Sequence, residues 1–120
     1  MITFKKLGRY GNIGNSLFQY CTLLGIGKKL QYEVKIPNNP TYYDGRIENY
    51  NYSIFDGFDI NTDILEAHDI ISYSYVYSGH TYNGEVFNIL DGSNIHGYFQ
   101  CERYFNFCRD YILDNLQFKS

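Results

Sequence analysis

The sequence predicts an α/β fold built on a parallel sheet, and three observations carry that expectation. A short apolar strand opens the chain, a glycine-punctuated turn follows it, and a largely apolar helix leads directly into a second strand. Strand, glycine turn, buried helix and strand in that order make the opening βαβ unit of a Rossmann-like sheet. A chain of 120 residues is the length of one domain. At that size folding buries roughly two-thirds of the unfolded surface, so neither disulfides nor a metal is needed to hold a core. We therefore expect residues 1–120 to form a single Rossmann-like domain.

Residues 2–7 read as the first strand. The turn Gly8-Arg9-Tyr10-Gly11-Asn12-Ile13-Gly14 follows. Residues 15–30 read as a helix, with Asn15 placed to cap it by accepting a hydrogen bond from a free N–H one turn in. Its apolar residues cover most sides, which predicts burial. Gly25 and Gly27 each cost about 1 kcal/mol against alanine in a helix interior, and close packing on a sheet would explain them. Lys28 and Lys29 suit the negative carboxyl end. Residues 33–36 form a second strand, stopped by Pro37. Residues 38–51 read as a long polar surface loop, and 53–58 as a short apolar island. Residues 63–67 suggest one helical turn. Residues 69–77 alternate as a strand does, and 95–99 are another strand candidate. Residues 102–116 read as a second helix, with Phe105, Cys108, Ile112 and Leu116 on one face.

Composition narrows the function. Ten Lys and Arg against thirteen Asp and Glu leave a net charge of −3. No basic excess draws the chain to nucleic acid or to anionic lipid. The apolar stretch at 13–30 is interrupted by Asn15, Gln19, Gly25, Gly27, Lys28 and Lys29, so no membrane span is expected. The first residues lack the order of a signal peptide. Cys21, Cys101 and Cys108 are odd in number, and their spacings match no disulfide framework or zinc ligand set. A reducing, cytoplasmic setting is the expectation. The three histidines are scattered, and no metal site is expected. Fourteen tyrosines and nine phenylalanines fit half-buried strand positions better than a sugar-binding face.

Two segments can carry chemistry. The turn at 8–15 joins a first strand to a helix start, where free N–H groups, glycines and the helix dipole favour an anion. Its glycines are not spaced as GxGxxG, and they serve a tight turn equally well. A dinucleotide fold also wants an acid at the end of the second strand; Glu33 stands at its start. The second segment is Gly97-Tyr98-Phe99-Gln100-Cys101-Glu102-Arg103-Tyr104-Phe105, where a strand gives way to a helix at the edge that binds ligands in such sheets. Glu102 and Arg103 could hydrogen-bond a polar ligand there, or Glu102 simply favours the first turn.

These residues also carry a family resemblance. Gly11-Asn12-Ile13-Gly14-Asn15-Ser16-Leu17-Phe18-Gln19-Tyr20 resembles the first motif of the α-1,2-fucosyltransferases (glycosyltransferase family 11), written G-x-[LF]-G-N-Q-[ML]-F-Q-Y. Lys28-Lys29-Leu30 followed by Glu33-Val34 is similar to that family's KKLGxEV segment. Residues 97–105 resemble its GYFQSEKYF. The resemblance spans most of the chain. It implies the amino-terminal, Rossmann-like half of a two-domain, GT-B-type glycosyltransferase. Such enzymes move fucose from GDP-fucose to the 2-hydroxyl of a galactoside with inversion and without a required metal or other cofactor. By that correspondence Gly11, Gly14 and Asn15 would line the donor side. Tyr98, Gln100 and Glu102 would stand at the acceptor side or cleft edge. No catalytic residue is assigned. Arg9 lies near the donor motif but outside it.

Departures qualify what the resemblance implies. Ser16 stands for the usual Gln and Cys101 for the usual Ser. No H-x-R-R-G-D run, the family's donor-binding motif, occurs in the 120 residues. The expectation is an amino-terminal half, weak or inactive alone, whose partner is a missing carboxyl-terminal domain or a second chain. The alternatives are a small nucleotide- or phosphate-binding Rossmann-like module without catalysis, and an interaction protein using its tyrosine-rich loop.

Overall fold

In the computed structural model, residues 1–7, 13–38, 41–43, 51–53 and 58–118 are described. In chain order they form β1 (Ile2–Thr3), α1 (Ile13–Leu30), β2 (Val34–Ile36), β3 (Thr41–Tyr43), β4 (Asn51–Ser53), β5 (Phe58–Ile60), β6 (Asp63–Ile64), β7 (Tyr73–Tyr77) and β8 (Ser93–Gly97). Three 3₁₀ turns, Gly84–Asn88, Glu102–Tyr104 and Asn106–Cys108, precede α2 (Arg109–Asn115) and β9 (Leu116–Phe118).

Five strands make one sheet in the order β6-β2-β1-β8-β7, and every neighbouring pair is parallel. The chain is thus a small α/β domain on a parallel sheet, as the opening βαβ pattern predicts. From β1 it steps outward through β2 to β6, then crosses to the other side for β7 and β8. Numbered within this sheet alone, the order is 3-2-1-5-4. The first three places follow the dinucleotide-fold order, and the last two strands are exchanged relative to it. The reversal falls between β1 and β8, so the crevice at their carboxyl ends is the topological switch point.

Helix α1 covers the sheet because its sequence is apolar on nearly every side. Tyr20, Leu23, Leu24 and Ile26 are fully buried and join Ile2, Phe4, Ile36 and Ile95 in one core. Gly25 and Gly27 meet different neighbours. A Cβ on Gly25 would lie 2.4 Å from the carbonyl oxygen of Tyr104, and one on Gly27 would lie 2.3 Å from Cγ2 of Val34. Gly27 therefore packs against the sheet, as expected, whereas Gly25 packs against the turn after β8. At the helix end the Tyr32 N–H donates to the Gly27 carbonyl at 3.0 Å, with Gln31 at φ +59°. This is a Schellman closure with glutamine at the left-handed position where glycine is usual.

The strands expected at 69–77 and 95–99 span 73–77 and 93–97, and four other segments depart further from the sequence expectation. The first strand stops at Thr3, because Leu7 N–H turns back to the Phe4 carbonyl at 3.0 Å. Within the expected loop 38–51, Thr41–Tyr43 pairs antiparallel with Asn51–Ser53; residues 39–40 and 44–50 lie outside the described residues. The expected helical turn at 63–67 is instead edge strand β6, with Ile64 in register with Ile36. Five residues cannot sustain a helix without packing, while β6 places Ile64 against the core. The expected helix 102–116 is broken at Phe105, whose φ and ψ are −144° and 0°. Tyr104 is buried and its hydroxyl accepts from Asn83 N–H at 2.8 Å. Anchoring that ring beneath α1 breaks the helical path, which resumes only at Arg109. The chain then leaves α2 as β9, paired with β5.

Candidate functional site

The switch point brings the two motif segments together. Asn15 is the third residue of α1, so it lies inside the first turn rather than capping the helix. Its side chain has another partner: Gln100 Nε2 donates to Asn15 Oδ1 across a separation of 85 residues. First-turn N–H groups of a helix have no intrahelical acceptor, and the positive end of the dipole adds to their pull on an anion. Gly14, just before Asn15, is exposed. Gly11 lies outside the described residues, as does the rest of 8–12, including Arg9.

The Gly97–Gln100 segment reaches this place by a sharp turn. A Cβ on Gly97 would stand 2.5 Å from the Tyr77 carbonyl oxygen, so only glycine lets β8 end this close to β7. Phe99 has φ +52° and is 2% exposed. Its ring meets Phe4 at 6.3 Å and Tyr104 at 5.4 Å, both edge-on. The Cys101 N–H donates to the Phe99 carbonyl at 2.8 Å, closing a three-residue turn around Gln100. Burying the Phe99 ring thus fixes the backbone that presents Gln100 to α1.

The remaining expected site residues flank that pair. The Tyr98 ring stacks on His80, with centroids 6.2 Å apart and planes 26° apart. Glu102 is exposed in the first turn of the 3₁₀ segment that follows. Arg103 lies over the Tyr82 ring, 4.1 Å from its centroid, so its guanidinium is engaged in packing. Glu33 precedes β2 and thus stands at the amino edge of the sheet. The acid that a dinucleotide site requires at the carboxyl edge is not supplied by it.

Three residues on α1, two within the quoted motif and Thr22 beyond it, were not among the expected site residues. Ser16, Gln19 and Thr22 are polar and buried, and Thr22 Oγ1 donates to the Phe99 carbonyl at 3.5 Å. Asn15, Gln19 and Thr22 recur at helical spacing, a polar row within an apolar helix that could have been found in the sequence. The row runs beside the turn that carries Gln100.

The electrostatics are those of a helix end among largely uncharged groups. Burial pushes the Tyr104 hydroxyl up, the leading cause of its shift. His96, on β8, is held below its ordinary value of 6.5, first by burial and then by Lys6; its ring meets Phe4 edge-on at 5.9 Å. Burial raises the Cys21 thiol to about 12, which suits a small apolar core residue and not a nucleophile. Among the described residues no group of three or more His, Cys, Asp and Glu is placed to hold a metal, and no helix is long and apolar enough to cross a membrane. In comparisons with known proteins, no family model matches the chain, and no curated protein or solved structure matches it either.

Proposed function

We propose that this chain is a glycosyltransferase-family domain resembling the α-1,2-fucosyltransferases, and that the switch-point cleft holds the diphosphate of GDP-fucose. The observation that carries the proposal is the Asn15–Gln100 hydrogen bond. It joins the G-N-S-L-F-Q-Y and G-Y-F-Q segments, far apart in sequence, at one helix start on the carboxyl edge of a parallel sheet. In this reading the first-turn N–H groups of α1 and the Asn15 carboxamide face the leaving diphosphate, with Gly14 leaving room for it and Gly11 assigned to the donor side by the family correspondence alone. Preorganised donors of this kind stabilise negative charge as it develops. Tyr98, Gln100 and Glu102 border the cleft on the acceptor side, where a galactoside would present its 2-hydroxyl.

The 120 residues contain no H-x-R-R-G-D run, and a diphosphate clamp of the Arg type is bidentate and strong. Binding without efficient turnover is therefore the expected behaviour of these residues alone. The same fact favours a second reading, a nucleotide- or phosphate-binding module that performs no transfer.

Calorimetric titration with GDP, GDP-fucose and NAD separates the readings. The fucosyltransferase reading expects GDP and GDP-fucose to bind more tightly than NAD, and Asn15→Ala to weaken both by about tenfold, the worth of one charge-assisted hydrogen bond. Preference for NAD, or no nucleotide binding, overturns it. Fucose transfer to a galactoside, measured with and without a carboxyl-terminal half bearing the arginine motif, tests the division of labour. Full activity from the 120 residues alone overturns the half-enzyme reading.

A further inference from the structure

A groove of about 460 Å³ lies at the opposite end of α1 from the Asn15–Gln100 pair. Its volume falls in the range of small-molecule sites. Its walls come from segments separated in the chain: Lys28 and Gln31 at the end of α1, Glu33 in the link to β2, Asn61 and Asp63 at β6, and Tyr111 on α2. Gly27 forms part of the wall, where its bare Cα lets the helix press against Val34.

The chemistry of this groove differs in sign from that of the cleft. It lies at the carboxyl end of a helix, which carries partial negative charge and carbonyls facing outward. Two carboxylates, Glu33 and Asp63, and one ammonium, Lys28, are among its lining residues. The Lys28 ammonium lies over the Tyr111 ring, 4.8 Å from its centroid, so a lining ring already accepts a cation on its face. The carboxamides of Gln31 and Asn61 offer both donors and acceptors, as hydroxyl groups require. Gln31 is held at φ +59°, a conformation that costs a non-glycine residue energy.

We propose that this groove binds a small hydroxylated amine in its protonated form, the chemistry of a hexosamine. The ammonium would meet Asp63 and Glu33, and the hydroxyls would meet the two carboxamides. This site is separate from the proposed nucleotide cleft and does not rest on it.

Glucosamine, glucose and glucose 6-phosphate form a matched set of probes, titrated at mildly acidic pH while backbone amide shifts are followed by NMR. The expected result is saturable binding of glucosamine with a dissociation constant of about 1 mM or tighter, with shifts centred on residues 28–33 and 61–63. Glucose should bind about tenfold more weakly, and glucose 6-phosphate should not shift these residues. Asp63→Asn should weaken glucosamine about tenfold. Asp63 is exposed, so the fold should survive, and an unchanged melting temperature checks this. Lys28→Met, which frees the Tyr111 face, should tighten glucosamine binding. Equal binding of glucose and glucosamine, groove shifts with glucose 6-phosphate, an Asp63→Asn variant that binds as well as the parent, a Lys28→Met variant that binds less tightly, or no binding of glucosamine would each overturn the proposal. GDP titration of the Asp63→Asn variant should match the parent, which keeps failure here distinct from failure of the nucleotide reading.

Discussion

The two ends of helix α1 are built differently. Near its amino end the turn carrying Gln100 is held by a buried phenylalanine, a close glycine and a polar row of the helix. At its carboxyl end the helix closes on a strained glutamine and leaves a groove lined by polar side chains. The helix dipole gives these ends opposite sign: first-turn N–H groups and the Asn15 and Gln100 carboxamides stand at one, and Glu33, Asp63, Lys28 and two carboxamides at the other. One helix can therefore present two surfaces of opposite preference, provided that the sheet holds both ends apart. The contrast also separates a place shaped by packing from a place shaped by exposed polar side chains, and substitutions should tell them apart.

The largest effect is expected at the packed end. Phe99→Ala removes a ring that is 2% exposed and lies against Phe4 and Tyr104. Denaturant unfolding should show a loss of about 3–4 kcal/mol. Asn15 and Gln100 should then lose their alignment, so nucleotide affinity should fall with stability. A loss below about 1 kcal/mol would mean that the ring does not hold the turn.

Alanine at each helix glycine makes a finer comparison. Gly25→Ala drives a methyl into the backbone carbonyl of Tyr104, which cannot yield as a side chain can. Gly27→Ala meets Val34 Cγ2, the end of a side chain, at 2.3 Å, and the Tyr32 carbonyl oxygen at 3.1 Å. Overpacking costs about 1–3 kcal/mol, and the helix preference for alanine returns about 1 kcal/mol. Gly25→Ala should thus lose roughly 2 kcal/mol and Gly27→Ala less than about 1 kcal/mol. Equal losses would erase the distinction drawn between the two contacts.

At the groove end, Gln31→Gly should stabilise the protein by about 0.5–1 kcal/mol, because it relieves a left-handed glutamine. Thermal melting would read this as a rise, and a fall would show that the Gln31 side chain contributes more than its backbone costs.

The smallest effect is one of pH. His96 is held below 6.5 by burial, so below that pH the unfolded chain takes up the proton more readily than the folded one. Its contribution should be lost as pH drops from about 6.5 toward the lower folded value. Asp69 is held below 3.8, first by the Glu66 N–H and then by Lys35, whose ammonium lies 2.9 Å from it. Its contribution is present above 3.8 and lost as pH falls through the lower folded value. Denaturation midpoints across this range should fall in two stages, and His96→Gln should flatten the first only.

What was legible in the sequence is what short-range periodicity encodes. The apolar run of α1 and the alternation through 69–77, of which 73–77 is strand, identify a buried helix and a strand, because burial demands those spacings whatever the partner. With Glu33-Val34-Lys35-Ile36 after the helix, they also predict the parallel sheet. The motif residues could be named as well, but not their arrangement. Asn15 read as a cap because local rules know only nearby donors; its carboxamide is instead taken by Gln100, 85 residues away. The Asp63–Ile64 strand and the break at Phe105 depend on partners that no local window contains. The groove depends on them most, since its walls meet only when α1, β6 and α2 pack together. Local preference in the sequence thus determined the helix and strand pattern of the α/β class. Long-range burial, deciding which backbone groups could approach, chose where the strands end, how the second helix breaks and which side chains share a site.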